Sequence, residues 1–257
     1  MHTDTETAAG SPPSDFSRDD LPLSTLVAQG LTLRTVRGPV FGPVDLVLPP
    51  QTHLAVLGSQ GTGRSALLLA LTGRLDGVSG DLVLTGGPVD VALDSAERPA
   101  ARAYRPEIDA SRHPHALRSL TAVARVTDLV ELEPALTVRE AVDERCLLDG
   151  VRRRAGRERF ALLAEAVGLG VDSDAEVGEL SALTRALIAA LLACLRPSRL
   201  VTFDDVDASL TVDELTHLYS AMDILKDHGH SFAVSAVGSA PTPRDAVILT
   251  LHSFREN

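Results

Sequence analysis

The sequence predicts an α/β fold built on a largely parallel sheet, and three observations carry that expectation. Short apolar strands alternate with helix-length amphipathic runs. One strand runs directly into a Gly-rich turn that opens an apolar helix. A second apolar strand, much later in the chain, ends in a pair of aspartates.

From Leu26 the pattern is one of short alternating strands, Leu31-Thr-Leu33 and then Val44-Asp-Leu-Val-Leu48, an antiparallel-looking front end closed by Pro49-Pro50. His53-Leu-Ala-Val-Leu57 is the apolar strand that enters the Gly-rich turn, and Leu67, Leu68, Leu69 and Leu71 mark the helix behind it. Gly80-Asp-Leu-Val-Leu84 reads as a hairpin-like element closed by Gly86-Gly87, and Pro88 to Pro114 as an insertion or long loop. Helices are expected over Val138–Leu148, Arg157–Val167, Ser181–Leu195 and Val212–Lys226. Strands are expected over Arg199–Phe203, Phe232–Val237 and Ala246–Leu251.

The first 22 residues are rich in Ser, Thr, Pro and Asp and bury too little to offset ordering, so they read as a flexible tail. The rest, 23–257, reads as one domain. A formal charge of -11 over 257 residues excludes an ordinary nucleic-acid binder and disfavours adhesion to anionic lipid. The longest strongly apolar run, Ala186 to Leu195, is half of the ~20 residues that a spanning helix needs. No signal core is visible at the N-terminus, so a cytoplasmic location is expected. Cys146 and Cys194 lack metal or disulfide spacing and read as two buried, reduced thiols. His228 and His230 read as surface loop residues.

Gly58-Ser59-Gln60-Gly61-Thr62-Gly63-Arg64-Ser65 has the spacing of a phosphate-binding loop, in the strand-to-helix setting that such a loop requires. Its glycines let successive backbone N–H groups turn inward and form an anion nest at a helix N-terminus. Ser65 offers a hydroxyl to Mg2+, and Ala66 follows without a second one. Arg64 stands where the motif has lysine. Guanidinium is planar and wide, and is not interchangeable with a compact ammonium. Lys226 is the chain's only lysine.

On these residues the chain resembles the ATP-binding subunits of ABC transporters over most of Leu26 to Leu251. Ser79-Gly-Asp-Leu-Val-Leu-Thr-Gly86 is similar to the strand pair after the phosphate-loop helix. Leu136-Thr-Val-Arg-Glu-Ala-Val142 is similar to the opening of the family's helical subdomain. Glu179-Leu180-Ser181 sits where the signature motif begins, and Arg196-Pro-Ser-Arg-Leu-Val-Thr-Phe-Asp204-Asp205 resembles the Walker B strand. The resemblance implies a P-loop NTPase of RecA-like type, with a core of about 23–130 and 190–257 and a helical subdomain of about 131–189.

It also implies ATP and Mg2+ as cofactors. Residues Gly58 to Ala66 and Ser181 would contact nucleotide, Ser65 and Asp204 the metal, and Asp205 would be the candidate base. The implied partners are a membrane-embedded transporter subunit and a second nucleotide-binding subunit, identical or different, with the chain peripheral to the inner face of the membrane. Several positions depart from the family pattern. Ala182 and Leu183 replace signature glycines, and Asp205 replaces a Glu. The glutamine loop, expected near Arg125 to Glu131, has no Gln, and Asp128 is its nearest polar candidate. Val237 and Gly238 occupy the place of the switch histidine. Thr35 and Val36 lie where an aromatic adenine platform is expected. The function expected is ATP binding with weak or absent hydrolysis. The alternatives are a scaffold that has lost nucleotide and a competent hydrolase of the same fold.

Overall fold

The computed structural model describes residues 24–86, 108–109 and 114–253. The N-terminal tail and most of the Pro88–Pro114 insertion lie outside the described residues, as does Gly87.

Two sheets organise the chain. The first is antiparallel, in the order β2-β1-β4-β5, from β1 (Ser24–Thr35), β2 (Gly38–Leu48), β4 (Val78–Gly86) and β5 (Ile108–Asp109). The second is parallel, in the order β6-β7-β8-β3-β9, from β6 (Thr121–Arg125), β7 (Leu200–Phe203), β8 (Ser231–Ala236), β3 (Leu54–Leu57) and β9 (Val247–Thr250). The two short runs of the front end are parts of one long pair. β1 and β2 bridge their irregularities by register shifts beyond Ala28 and beyond Leu31, so pairing continues where alternation breaks. The expected Gly80–Leu84 hairpin is instead a strand laid antiparallel on β1, with Leu26 opposite Leu84.

β7, β8 and the first three residues of β3 are wholly buried, as strands covered on both faces must be. On one side α1 (Arg64–Leu71) packs Leu67, Leu68 and Leu71 in a single apolar cluster with Leu31 and Phe41 of the antiparallel sheet and Leu54 of the parallel one. On the other side lie α3 (Val138–Asp149), α4 (Arg153–Ala166), α5 (Ala182–Ala193) and α6 (Val212–Asp227). Their core joins Leu163, Ile188, Leu191 and Met222 to Val201, Phe203 and Phe232 of the sheet. α5 is buried along its length from Ala186, which is why its sequence is apolar all round. Capping boxes start α3 at Thr137 with Glu140 and α6 at Thr211 with Glu214.

Three sequence expectations change. β6 was not expected, and α2 (Pro114–Leu120) leads into it. His230 is buried rather than a surface loop residue: its Nδ1 meets the Ser198 carbonyl at 3.0 Å and Arg159 Nη2 lies 3.1 Å from its Nε2. Asp128 is an exposed turn residue with φ of 60°, inside the Val126–Val130 bridge. Both cysteines are free and buried, and burial pushes the Cys194 thiol up to about 12. Among the described residues no helix is long and apolar enough to cross a membrane.

Candidate functional site

The Gly-rich loop leaves the C-terminal end of β3, an interior strand of the parallel sheet, and β7 delivers Asp204 and Asp205 at the same end two strands away. Parallel strands place such ends together, which is why residues nearly 150 positions apart share one site.

The loop is fixed by its own bonds. Thr62 is buried, and its hydroxyl donates to the Ser59 carbonyl at 2.8 Å. Gly61 has φ of 80° with open space around the position of a Cβ. Gly63 has φ of 89° and serves as N-cap of α1 without a side-chain bond. A Cβ there would run into the Val40 carbonyl of β2. Only glycine fits both the left-handed backbone and that contact. Ser59, Gln60 and Gly61 are exposed, and Ser65 and Ala66 half-buried on the first turn of α1.

Arg64 turns away from the loop towards the acidic pair. Its Nη2 donates to Asp205 Oδ1 at 2.7 Å with the side chain only 8% exposed, and its Nη1 is buried without a hydrogen bond. Asp205 is held on every side. Its backbone sits at φ of 44°, its N–H donates to Ser235 Oγ at 2.9 Å, and its carbonyl accepts from Arg125. Thr127 Oγ1 approaches its second carboxylate oxygen at 3.4 Å. Burial and the neighbouring Asp204 raise its pKa, while Arg64 opposes that rise.

Asp204 is fully buried. Ser235 Oγ donates to its Oδ1, and its Oδ2 has no hydrogen-bond partner. A buried carboxylate oxygen left open is costly unless a ligand completes it. With the Ser65 hydroxyl on the first turn of α1, the donor chemistry suits a hard divalent cation taking few protein oxygens and several other ligands. Among the described residues no cluster of three or more His, Cys, Asp or Glu side chains could hold a metal by itself.

Three participants have no counterpart in the sequence motifs. Arg125, at the end of β6, donates to the carbonyls of both aspartates and lies 5.0 Å above the Phe203 ring. Burial lowers its pKa, with Glu131 and the aspartates opposing. Ser235 bridges the two aspartates, and Thr127 touches the second. Asp128, the polar candidate of that segment, is not among the side chains that hydrogen-bond the acidic pair.

The remaining sequence-selected residues make no hydrogen bond to the acidic pair, and Ala182 lines a cavity with Arg125. Ser181 caps α5, accepting from the Thr184 N–H at 3.1 Å, and is exposed. Leu183 is half-buried against the helical core. Val237 is 48% exposed beyond β8, with its N–H bonded to Asp207 Oδ2. Val36 is fully exposed at the tip between β1 and β2.

A family model described as ABC transporter matches residues 41–208, well over half of the chain. The chain is 33% identical over 151 residues to the cytochrome c biogenesis ATP-binding export protein CcmA of Cupriavidus necator, covering 56% of this chain and 66% of that protein. It is 24% identical over 202 residues to the ribose import ATP-binding protein RbsA of Corynebacterium glutamicum, covering 74% and 34%. The hemin import ATP-binding protein HmuV of Bordetella avium is 32% identical over 139 residues, covering 54% and 52%. The chain thus spans between 34% and 66% of the length of these three relatives. Among solved structures, cbiO1 from Clostridium perfringens, described as part of the ABC transporter complex cbiONQ, superposes with a TM-score of 0.61 at 15% identity, covering 82% and 78% of the two chains. At that identity the likeness shows the fold, a P-loop NTPase with added antiparallel sheet and helices. The Gly-rich loop, the acidic pair and the helices between them all fall inside the matched span, and the chain belongs to the ABC transporter family.

Proposed function

We propose that this chain is a cytoplasmic nucleotide-binding subunit that takes ATP with Mg2+ at the Gly58–Ala66 loop, drives or regulates a separate membrane-embedded subunit, and hydrolyses ATP slowly or not at all. The backbone N–H groups of Ser59 to Ser65 hold the phosphates at the N-terminus of α1. Ser65 and Asp204 hold the cation, with the open Asp204 Oδ2 as its anionic ligand. The cation screens the phosphate charge when bound. Ser181 acts across a pair of such subunits, identical or different, on nucleotide held by the other one.

One observation carries the low-turnover half of this reading: the candidate base Asp205 is hydrogen-bonded at 2.7 Å to Arg64, the loop's own cation. A carboxylate spent on a guanidinium is a poor base for water, and a guanidinium spent on a carboxylate is a poor clamp for a transferring phosphoryl group.

The test is thermal unfolding with Mg-ATP and with Mg-ADP, followed by phosphate release. A ligand at a hundred times its dissociation constant adds about 2.7 kcal/mol to stability. Gly61→Asp is the control, because its surroundings are open, and a carboxylate there opposes phosphate. A nucleotide-dependent rise that the control abolishes, without measurable phosphate release, is the expected result. No rise at millimolar nucleotide overturns the binding reading in favour of a scaffold, and brisk phosphate release overturns the low-turnover half.

A further inference from the structure

We propose that the Arg64–Asp205 ion pair stands in for a terminal phosphate, so that the site takes a nucleoside diphosphate in preference to the corresponding triphosphate until the pair is opened. The inference rests on the nucleotide-binding reading above and adds which nucleotide the site selects.

The position of Arg64 is the first support. The residue just before the loop's Ser65 is the one whose side chain reaches the terminal phosphates. Here that side chain is extended onto Asp205, with its charge already neutralised. A terminal phosphate entering the space meets a fixed carboxylate, and to recruit Arg64 it must strip a buried cation from its partner.

The fixity of Asp205 is the second. Its N–H is tied to Ser235, its carbonyl to Arg125, and its second carboxylate oxygen faces Thr127. Those backbone bonds fix where the side chain starts, and its two carboxylate oxygens face Arg64 and Thr127. Releasing Arg64 also leaves Asp205 beside the buried Asp204 with no positive neighbour bonded to its side chain, and uncompensated buried charge is expensive.

The third support is what a diphosphate needs. Its phosphates use the inward-facing N–H groups of the loop, and Gly61 and Gly63 already hold the backbone for them. None of that requires Arg64.

The test is isothermal titration of the full chain with ADP and with a non-hydrolysable ATP analogue, both with Mg2+. Wild type is compared with Asp205→Asn, Arg64→Gln and the double variant. Wild type is expected to bind the diphosphate more tightly. Asp205→Asn should tighten the triphosphate analogue about tenfold more than it tightens ADP, about 1.4 kcal/mol. Arg64→Gln leaves the Asp205 carboxylate without its partner, so it should weaken the triphosphate analogue more than it weakens ADP. The double variant removes both charges together, so it avoids an orphaned buried ion, and its preference should move towards the triphosphate even if a single variant fails to fold. Tighter triphosphate binding by wild type, or an equal gain for both nucleotides in Asp205→Asn, overturns the inference while leaving nucleotide binding intact. Absence of binding in wild type and all variants overturns the nucleotide-binding reading, and this inference with it.

Discussion

Arginines gather in two places in this molecule, and the two are finished differently. At the junction of α2 and β6, Arg74 donates to the carbonyls of Thr72, Arg118 and Thr121 and to the Thr121 hydroxyl. Arg196 donates to the carbonyls of Arg118, Ser119 and Thr121. Arg145 takes the Val123 carbonyl and pairs with Asp149 at 2.6 Å. The one orphan is Arg196 Nε, 3.6 Å from Asp149. Burial and three neighbouring arginines lower the Arg74 pKa to about 10, yet donors and carbonyl acceptors match. At the end of β7 they do not match. Arg64 Nη1 and Asp204 Oδ2 are both buried and unbonded, within one small group of side chains. A polar network closed on itself but for one donor stabilises a fold, whereas one that leaves both a donor and a carboxylate acceptor open is prepared for something else.

The comparison can be broken most forcefully at the closed network. Arg74→Met removes four hydrogen bonds from a charged donor and leaves the Arg118 and Thr121 carbonyls to Arg196 alone, so a loss of about 3 kcal/mol is expected in urea denaturation, with nucleotide affinity of the surviving folded chain unchanged. Ser235→Ala acts on the open network. It frees the Asp205 N–H and Asp204 Oδ1 together and should cost about 1–3 kcal/mol, while Mg2+ restores more stability to the variant than to wild type.

A gentler perturbation is pH. Burial holds His53 and His230 at about 4, well below the ordinary value near 6.5. His53 Nδ1 accepts the Phe232 N–H, with Nε2 3.3 Å from Asp223, and Lys226 also acts to lower its pKa. His230 is faced by Arg159, Ser198 and His228. Between those values the unfolded chain binds protons that the folded chain refuses. Stability from these two groups is therefore complete above about pH 6.5 and declines as the pH falls towards about 4. Urea midpoints measured across that range should fall with acid. His53→Asn, which keeps an acceptor for the Phe232 N–H, should flatten the slope. The smallest effect is expected at Arg154, whose exposed pairing with Glu158 one helical turn away should be removable by Arg154→Ala with no measurable change in melting temperature.

Much of this architecture was legible in the sequence because it is local. The loop at Gly58–Ser65, the apolar run Ala186–Leu195 within the helix expected over Ser181–Leu195, and the strand that leads into Asp204 each announce themselves within a dozen residues. β6 escaped because Thr121-Ala-Val-Ala-Arg is short, has alanine at two of its five positions, and is placed behind a long weakly periodic stretch. His230 was misread because its burial depends on Arg159 and Ser198, which lie on other elements. At the site the limitation is the same. Ser235 sits one strand over from Asp204 and 31 residues away in sequence, and Arg125 is 79 away. Side chains that meet only through strand order carry no spacing signal.

The contact between Gly63 and the Val40 carbonyl bears on how this loop would age over evolutionary time. In a lineage that had abandoned nucleotides, selection on folding alone would still purge most substitutions at residue 63, because the neighbouring strand leaves no room for a side chain. Residue 61 has no such neighbour, and its left-handed backbone tolerates asparagine or aspartate. Glycine at 63 is thus a record of packing, and glycine at 61 the more telling sign that the loop still answers to a ligand.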